Sequence, residues 1–160
     1  MKILMLTPYL PYPLLSGWQI RSYNLLKNLA KKHQITLVAL IKHNSEKRYI
    51  KNIEPFCHKV IVARRPEKPW TITNILKTAF GKYPFLVVRN YSPEAKMAVL
   101  DELAKDKFDL IHAETFYVMP HIPKTKVPML LVEQTIEYLV YRHFVDEFKI
   151  PLIKQLLYLD

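Results

Sequence analysis

The chain has 160 residues, of which 50% are hydrophobic and 24% are charged, so its composition is that of a soluble globular domain and excludes a disordered segment. The single cysteine, Cys57, excludes an internal disulfide framework, and two glycines, Gly17 and Gly81, are too few for any glycine-rich phosphate fingerprint. The net charge of +10 is concentrated in residues 1–80, which hold 14 Lys and Arg against 3 Asp and Glu. This asymmetry indicates either an anionic partner or a lysine-rich solvated surface.

Apolar runs and helical patterns alternate along the chain. Continuous apolar runs predict five buried strands, at 2–7, 35–41, 59–63, 110–113 and 128–132. Apolar spacings of three and four predict helices at 18–32, 72–80, 92–105 and 136–148, and a weak charged helix at 44–56 with Ser45 as its N-cap. Buried strands that alternate with helices predict an α/β fold, namely a Rossmann-like parallel sheet with helices on both faces.

A proline-rich loop follows the first strand and ends in Ser16 and Gly17, where a helix begins. Ligands of open α/β sheets bind beyond the carboxyl ends of the strands, and a helix N-terminus offers N–H groups to a phosphate. Gly17 allows close approach of the backbone, and Arg21, one turn later, adds positive charge. The loop is therefore a candidate phosphate site. The alternative is a glycine that only permits a turn, followed by a solvated arginine.

Polar residues also stand where the fourth and fifth predicted strands end. His112 and Glu114 alternate along the strand and so point to the same side, and such a pair can bind sugar hydroxyls or transfer protons. A buried, hydrogen-bonded histidine is the alternative. Glu133, Gln134 and Glu137 follow the fifth strand, where capping of the next helix by Thr135 with first-turn acids is the alternative. The other histidines lack metal-ligand spacing, so we expect no metal site.

Three segments carry a more specific pattern. The first is the most distinctive, because it combines a proline-rich loop, a small residue plus glycine, and a helix with an early arginine. The three segments are ILMLTPYLPYPLLSGWQIRSYNLLKNLAKKHQITLVAL, FDLIHAETF and VPMLLVEQTIEYLVYRHF. In this order they resemble the N-terminal domain of the family 4 glycosyltransferases, which have the GT-B fold. The resemblance covers essentially the whole chain.

The resemblance implies an activity and its partners. It implies a retaining hexosyltransferase that moves a sugar from a nucleotide-sugar to a glycan or a lipid-linked acceptor, in polysaccharide biosynthesis. Residues 1–160 are then the acceptor-side domain, a second domain holds the donor, and the first domain alone is inactive. No cofactor is implied, because the nucleotide-sugar is a substrate. The implied location is cytoplasmic, on the anionic inner face of the plasma membrane, with no nucleic acid as partner.

Several positions of this chain correspond to functional residues of that family. By position, the implied catalytic residues are Gln134, Glu114 and His112, the donor-phosphate ligands are Ser16, Gly17 and Arg21, and the acceptor contacts are Tyr12 and Glu137. Ser16 stands where a second glycine is frequent. Gln134 stands where many members have a histidine, and a glutamine cannot act as a base. Glu114 stands where the second histidine of an H-x-H pattern is common.

The stretch 64–89 combines cations with aromatic residues. It holds six Lys and Arg against one acid, and its aromatic residues are Trp70, Phe80, Tyr83 and Phe85. The apolar stripe over 72–80 beside these cations is typical of an interfacial helix on anionic lipid, and ordinary core packing is the alternative.

Two other functions remain open from the sequence. One is a basic Rossmann-like module that binds nucleic acid or another anion without catalysis, and salt-dependent retention on DNA would favour it. The other is a complete small Rossmann-like protein with its own nucleotide site.

Overall fold

Five strands form one sheet in the computed structural model, which describes residues 1–68, 70–133 and 139. The strands are β1 (Lys2–Thr7), β2 (Gln34–Ile41), β3 (Lys59–Arg64), β4 (Leu110–Glu114) and β5 (Met129–Val132). Their order in the sheet is β3-β2-β1-β4-β5, and every neighbouring pair is parallel. The predicted Rossmann-like α/β fold is confirmed, and each strand lies within one residue of its predicted bounds.

Helices cover both faces of the sheet. They are α1 (Gly17–Leu29), α2 (Ile72–Ala79), α3 (Phe85–Val88) and α4 (Pro93–Lys105), with 3-10 segments at Asn44–Asn52, Glu54–Phe56 and Phe116–His121. Helix α4 begins as predicted, because the Ser92 hydroxyl caps it by accepting from the N–H of Ala95 and Pro93 occupies its first turn. The predicted helix at 136–148 lies outside the described residues.

Alternate residues of each strand supply two separate apolar cores. On one face, Leu4, Val38 and Ile111 pack with Val99 of α4. On the other face, a second cluster of Met5 and the odd-numbered residues of β2 packs with Leu26 of α1. Strands buried on both faces must be apolar throughout, which explains the seven consecutive buried residues of β2.

The prediction of a helix at 44–56 is wrong in the type of helix and in the residue that caps it. The chain there forms two 3-10 segments, and no residue of Asn44–Asn52 is buried. A helix without an apolar face gains little from packing, so the short, charged sequence does not propagate an α-helix. Ser45 is not the N-cap, which is His43. Instead, the Glu46 carboxylate accepts from the N–H groups of Lys42 at 2.8 Å and His43 at 2.7 Å.

Helix α2 turns its apolar side away from the protein. The side chains of Ile72 and Phe80 are 78% and 87% exposed, whereas Asn74 is buried. On the inner side the Thr78 hydroxyl donates to the carbonyl oxygen of Asn74. Among the described residues, this stripe is therefore exposed rather than packed in a core. None of the helices in the described ranges is long and apolar enough to cross a membrane.

Candidate functional site

The carboxyl ends of β1 and β4 lie side by side at the centre of the sheet, where the direction of the chain order reverses. From β1 the chain proceeds outward to β2 and β3, and it then crosses over to β4 and β5. The loops that follow two such strands diverge and leave a crevice, which is where open α/β folds bind ligands. The predicted site residues of the first loop and of β4 both lie at this end of the sheet.

Glu114 is the centre of a buried polar cluster at this crevice. It ends β4, its side chain is completely buried, and it faces the N-terminal part of α1. Nη1 of Arg21 donates to both of its carboxylate oxygens, at 2.8 and 2.7 Å. Nε2 of His112 lies 2.8 Å from Oε1, and the Ser22 hydroxyl lies at the outer hydrogen-bonding limit of 3.5 Å from Oε2. The structure thus brings together three predicted residues, of which Arg21 lies 93 positions from Glu114 in the sequence.

These contacts determine what each group can do chemically. A carboxylate only accepts hydrogen bonds, so Nε2 of buried His112 carries the hydrogen and donates it to Glu114. Because both oxygens of Glu114 are already engaged and buried, Glu114 is suited to holding Arg21 and His112 in place rather than to accepting a proton from a ligand. Arg21 remains 40% exposed and can offer its remaining N–H groups to an anion.

The backbone is strained immediately after this cluster. Thr115 has φ 72° and ψ 155°, a conformation that side-chain-bearing residues rarely adopt and that costs about 1–3 kcal/mol. It is held there because its N–H donates to the carbonyl oxygen of Val132 and its hydroxyl accepts from the N–H of Tyr117. Strain of this kind is concentrated at functional sites, where it fixes the direction of a neighbouring side chain.

The N-terminus of α1 is open at Gly17. The Ser16 hydroxyl accepts from the N–H of Gln19, and Ser16 and Gly17 are exposed. Neither glycine has a positive φ, so the backbone conformation does not require glycine at position 17. A Cβ built on Gly17 meets no atom within 4 Å, whereas one built on Gly81 collides with the carbonyl oxygen of Lys77. Internal packing therefore explains Gly81 and does not explain Gly17.

Tyr12 belongs to an aromatic cluster beside α1. Its ring lies 6.0 Å from that of Tyr23 and 5.7 Å from that of Tyr49, and the peptide bond that follows it is cis. The side chain is half-buried by these neighbours. The predicted acceptor contact at Tyr12 would thus involve only the edge of a packed ring. Two further predicted residues, Gln134 and Glu137, lie outside the described residues, as does Thr135.

A cleft of about 370 Å³ lies next to the cluster, at the carboxyl ends of β2 and β3. Its lining residues come from the end of β2, from the first turn of α1 and from the segments that follow β1, β2 and β3. They are Tyr9, Ser16, Gln19, Leu40, Lys42, His43, Glu46 and Arg65. The Tyr9 hydroxyl lies 3.2 Å from that of Ser22, which connects the cleft with the Glu114 cluster. Of these residues, the sequence analysis identified only Ser16.

Ser22, Thr115 and Arg65 are the residues that sequence reasoning missed. Ser22 follows Arg21 directly, but a serine inside a helix carries no signal of its own. The strained backbone of Thr115 could not be predicted from the sequence, because it arises from the pairing of β4 with β5 and not from the residue type. Arg65 was one of several cations in a basic stretch, and only its packing distinguishes it.

The chain was compared with protein-family models, with curated proteins and with solved structures, and no match was found in any of the three. The evidence for the fold is therefore the structure alone, and the glycosyltransferase resemblance stays a prediction.

Proposed function

We propose that this chain is the acceptor-side half of a retaining hexosyltransferase that uses a nucleotide-sugar and a glycan or lipid-linked acceptor. The observation that carries the proposal is the buried Arg21–Glu114–His112 cluster at the central crevice of the sheet. A buried carboxylate that fixes a partly exposed arginine is an expensive arrangement with little benefit to the fold alone. It is well suited to an arginine that must hold one position beside an anionic leaving group.

The role of each residue follows from its position. Gly17, with open space where a side chain would stand, lets the leaving diphosphate approach the backbone N–H groups of the first turn of α1. Arg21, one turn further along, adds positive charge at an orientation set by Glu114. His112 completes the carboxylate's hydrogen bonding, so it acts as a positioning residue here. Stabilising the charge that develops on the leaving group lowers the barrier to transfer.

Arg21 provides the test of this proposal. The full-length protein is incubated with radiolabelled nucleotide-hexoses and a membrane lipid extract, and labelled product is measured. Arg21→Gln should lower transfer at least tenfold, whereas Lys31→Gln, an exposed cation at the opposite end of the sheet, should leave it unchanged. Transfer at the wild-type rate by a folded Arg21→Gln protein would contradict the proposal. Salt-sensitive retention on DNA, with no transfer from any donor, would favour the nucleic-acid alternative instead.

The proposal includes peripheral attachment to an anionic membrane in the cytoplasm, and the orientation of α2 supports it. Exposed apolar side chains on α2 and beside it form an outward-facing patch, comprising Trp70, Ile72, Ile75, Leu76, Phe80 and Tyr83. Lys77 and Lys82 are exposed within the same stretch. An apolar face flanked by lysines enters the headgroup boundary while its cations meet anionic lipid, at about 1 kcal/mol for each cation. Such a patch would hold the cleft near a lipid-linked acceptor.

Two arginines of this stretch have partners within the protein. Arg64 lies 3.4 Å from Glu67, and Arg65 donates to Asn90, so neither is as free to meet lipid as the lysines. Lys77 and Lys82 are therefore the residues to change.

Co-sedimentation with vesicles that contain phosphatidylglycerol tests the attachment. Binding should weaken with salt and should fall at least tenfold in Lys77→Glu/Lys82→Glu and in Ile72→Ser/Phe80→Ser. The matched control is Met97→Ser, which removes an exposed apolar side chain from α4 and should change nothing. Wild-type protein that ignores anionic vesicles at low salt would contradict the attachment.

A further inference from the structure

The cleft beside the Glu114 cluster has a strongly cationic wall. Lys42 and His43 come from the loop after β2, and Arg65 follows β3 directly. The parallel register places the ends of these two strands side by side, with Ile41 opposite Arg64. The only carboxylate among the lining residues is that of Glu46. Both backbone N–H groups that precede its 3-10 segment already donate to Glu46.

Arg65 is fixed in this wall rather than free on the surface. Its backbone N–H donates to the carbonyl oxygen of Ile41 at 2.9 Å, and its Nη1 donates to Oδ1 of Asn90 at 2.7 Å. Asn90 is 3% exposed, and its amide nitrogen donates to the carbonyl oxygen of Leu86 at 2.7 Å. Because the amide nitrogen of Asn90 is engaged with Leu86, its oxygen Oδ1 points to the guanidinium group of Arg65. The arginine is thus oriented by a neutral group, and its direct hydrogen-bond partner does not neutralise its charge.

A second arginine makes the excess of positive charge larger. Burial lowers the pKa of Arg65 from its ordinary value, the charge of nearby Arg89 lowers it further, and Glu46 acts in the opposite direction. Within the described part of the chain, the buried Nε atoms of both arginines have no hydrogen-bond acceptor. Two neighbouring guanidinium groups with unsatisfied buried donors cost the fold free energy. An anion in the cleft would offset that cost.

We propose that this cleft is a binding site for a phosphoryl group, with Arg65 as its principal ligand, Lys42 as a further cation and His43 as a hydrogen-bonding side chain. A guanidinium presents paired N–H donors that match phosphate oxygens, and a cleft that is open on one side admits a phosphate attached to a larger molecule. The site is distinct from the Glu114 cluster, since it uses none of Arg21, His112 or Glu114. It does not rest on the proposed sugar transfer, and it stands if transfer is disproved.

Thermal unfolding in the presence of inorganic diphosphate tests the site in the 160-residue chain. Diphosphate at a hundredfold excess over its Kd should raise the wild-type Tm by roughly 5–10 °C, and NaCl of matched ionic strength should not. Isothermal titration should show affinity falling at least tenfold in Arg65→Gln and less in Arg65→Lys, which keeps the charge but loses the fork. Arg48→Gln, which removes an exposed cation stacked on Tyr49, is the matched control and should bind as the wild type does.

Two results would overturn the site. One is a wild-type Tm that diphosphate does not raise, and the other is an equal loss of affinity in Arg65→Gln and Arg48→Gln, which would reflect general surface charge. A Tm of Arg65→Gln that is lower than that of the wild type without ligand does not affect the test. The titration is run below the Tm of Arg65→Gln and measures binding directly, and Arg65→Lys gives a second measurement.

Vesicles of phosphatidylglycerol separate the sources of the phosphoryl group: Arg65→Gln should weaken vesicle binding if the ligand is a lipid headgroup and leave it unchanged if the ligand is a soluble phosphate.

Discussion

The two ends of the parallel sheet carry their charges in different ways. At the amino ends of the strands, two lysines stay nearly half exposed in their ion pairs. Lys2 lies 2.7 Å from Asp106, and Lys59 lies 2.6 Å from Glu102, whose own side chain is 9% exposed. At the carboxyl ends, Glu114 is completely buried beside Arg21, and Arg65 is held by an amide instead of an acid. The amino end thus pairs each of these acids with a lysine that stays in water, whereas the carboxyl end removes Glu114 from water completely and holds Arg65 with a neutral group.

That difference supports the proposal that the carboxyl end is the end that binds ligands. Exposed ion pairs contribute little to stability and need no special explanation. Buried charges and unsatisfied guanidinium donors are costly, so a chain keeps them where a ligand or a reaction uses them. Cavity size gives no such guidance: the amino end has a cleft of about 410 Å³, slightly larger than the one at the carboxyl end. The complete burial of Glu114 and the strained backbone of Thr115 distinguish the carboxyl end where volume does not.

The largest effect should come from removing the buried carboxylate. Glu114→Ala leaves the ring of His112, which is 4% exposed, without its partner, and should lower the free energy of unfolding by about 2 kcal/mol. Glu114→Gln, which keeps the volume and one acceptor oxygen, should lose less. Urea unfolding followed by circular dichroism measures both. A Glu114→Ala protein as stable as the wild type would remove the energetic contrast between the two ends.

A smaller effect should follow from pH, through His121. Its Nε2 accepts from the N–H of Ser92 at 2.9 Å, its Nδ1 lies 2.9 Å from the carbonyl oxygen of Val118, and burial lowers its pKa from 6.5. The unfolded chain therefore binds a proton more readily, so stability should fall as the pH drops below about 6.5 and should be fully present above it.

Unfolding in urea at pH 7.5 and pH 5.5 measures this dependence. His121→Gln should reduce the difference between the two pH values. His58→Gln, which changes an exposed histidine just before β3 at the amino end, should keep the full difference. An equal pH dependence in wild type and His121→Gln would show that another group titrates.

The smallest effect should come from the amino end itself. Lys2→Gln removes the exposed ion pair with Asp106, and the Tm should stay within about 2 °C of the wild-type value. If Lys2→Gln lowered stability as much as Glu114→Ala does, the two ends would differ in the exposure of their ion pairs but not in the contribution of those pairs to stability.

Patterns within short segments predicted the strands and the start of α4, because burial on both faces and helix capping are local signals. Contacts between distant residues were not predictable in the same way. Arg21 and Glu114 are 93 positions apart, and only the sheet order brings them together. Likewise, the amphipathic pattern of α2 was visible, but a pattern does not say which side of a helix faces the protein. Arg65 stood out only once Asn90 was seen to hold it.

The two glycines offer a direct measurement of the central claim, that the carboxyl end is a sugar-transfer site. Gly17→Val in the full-length protein should lower transfer from nucleotide-hexose by at least about a hundredfold with an unchanged Tm, because the new side chain meets ligand and not protein. Gly81→Val should do the reverse, with a lower Tm from the collision with the carbonyl oxygen of Lys77. Wild-type transfer by a folded Gly17→Val protein would contradict the account.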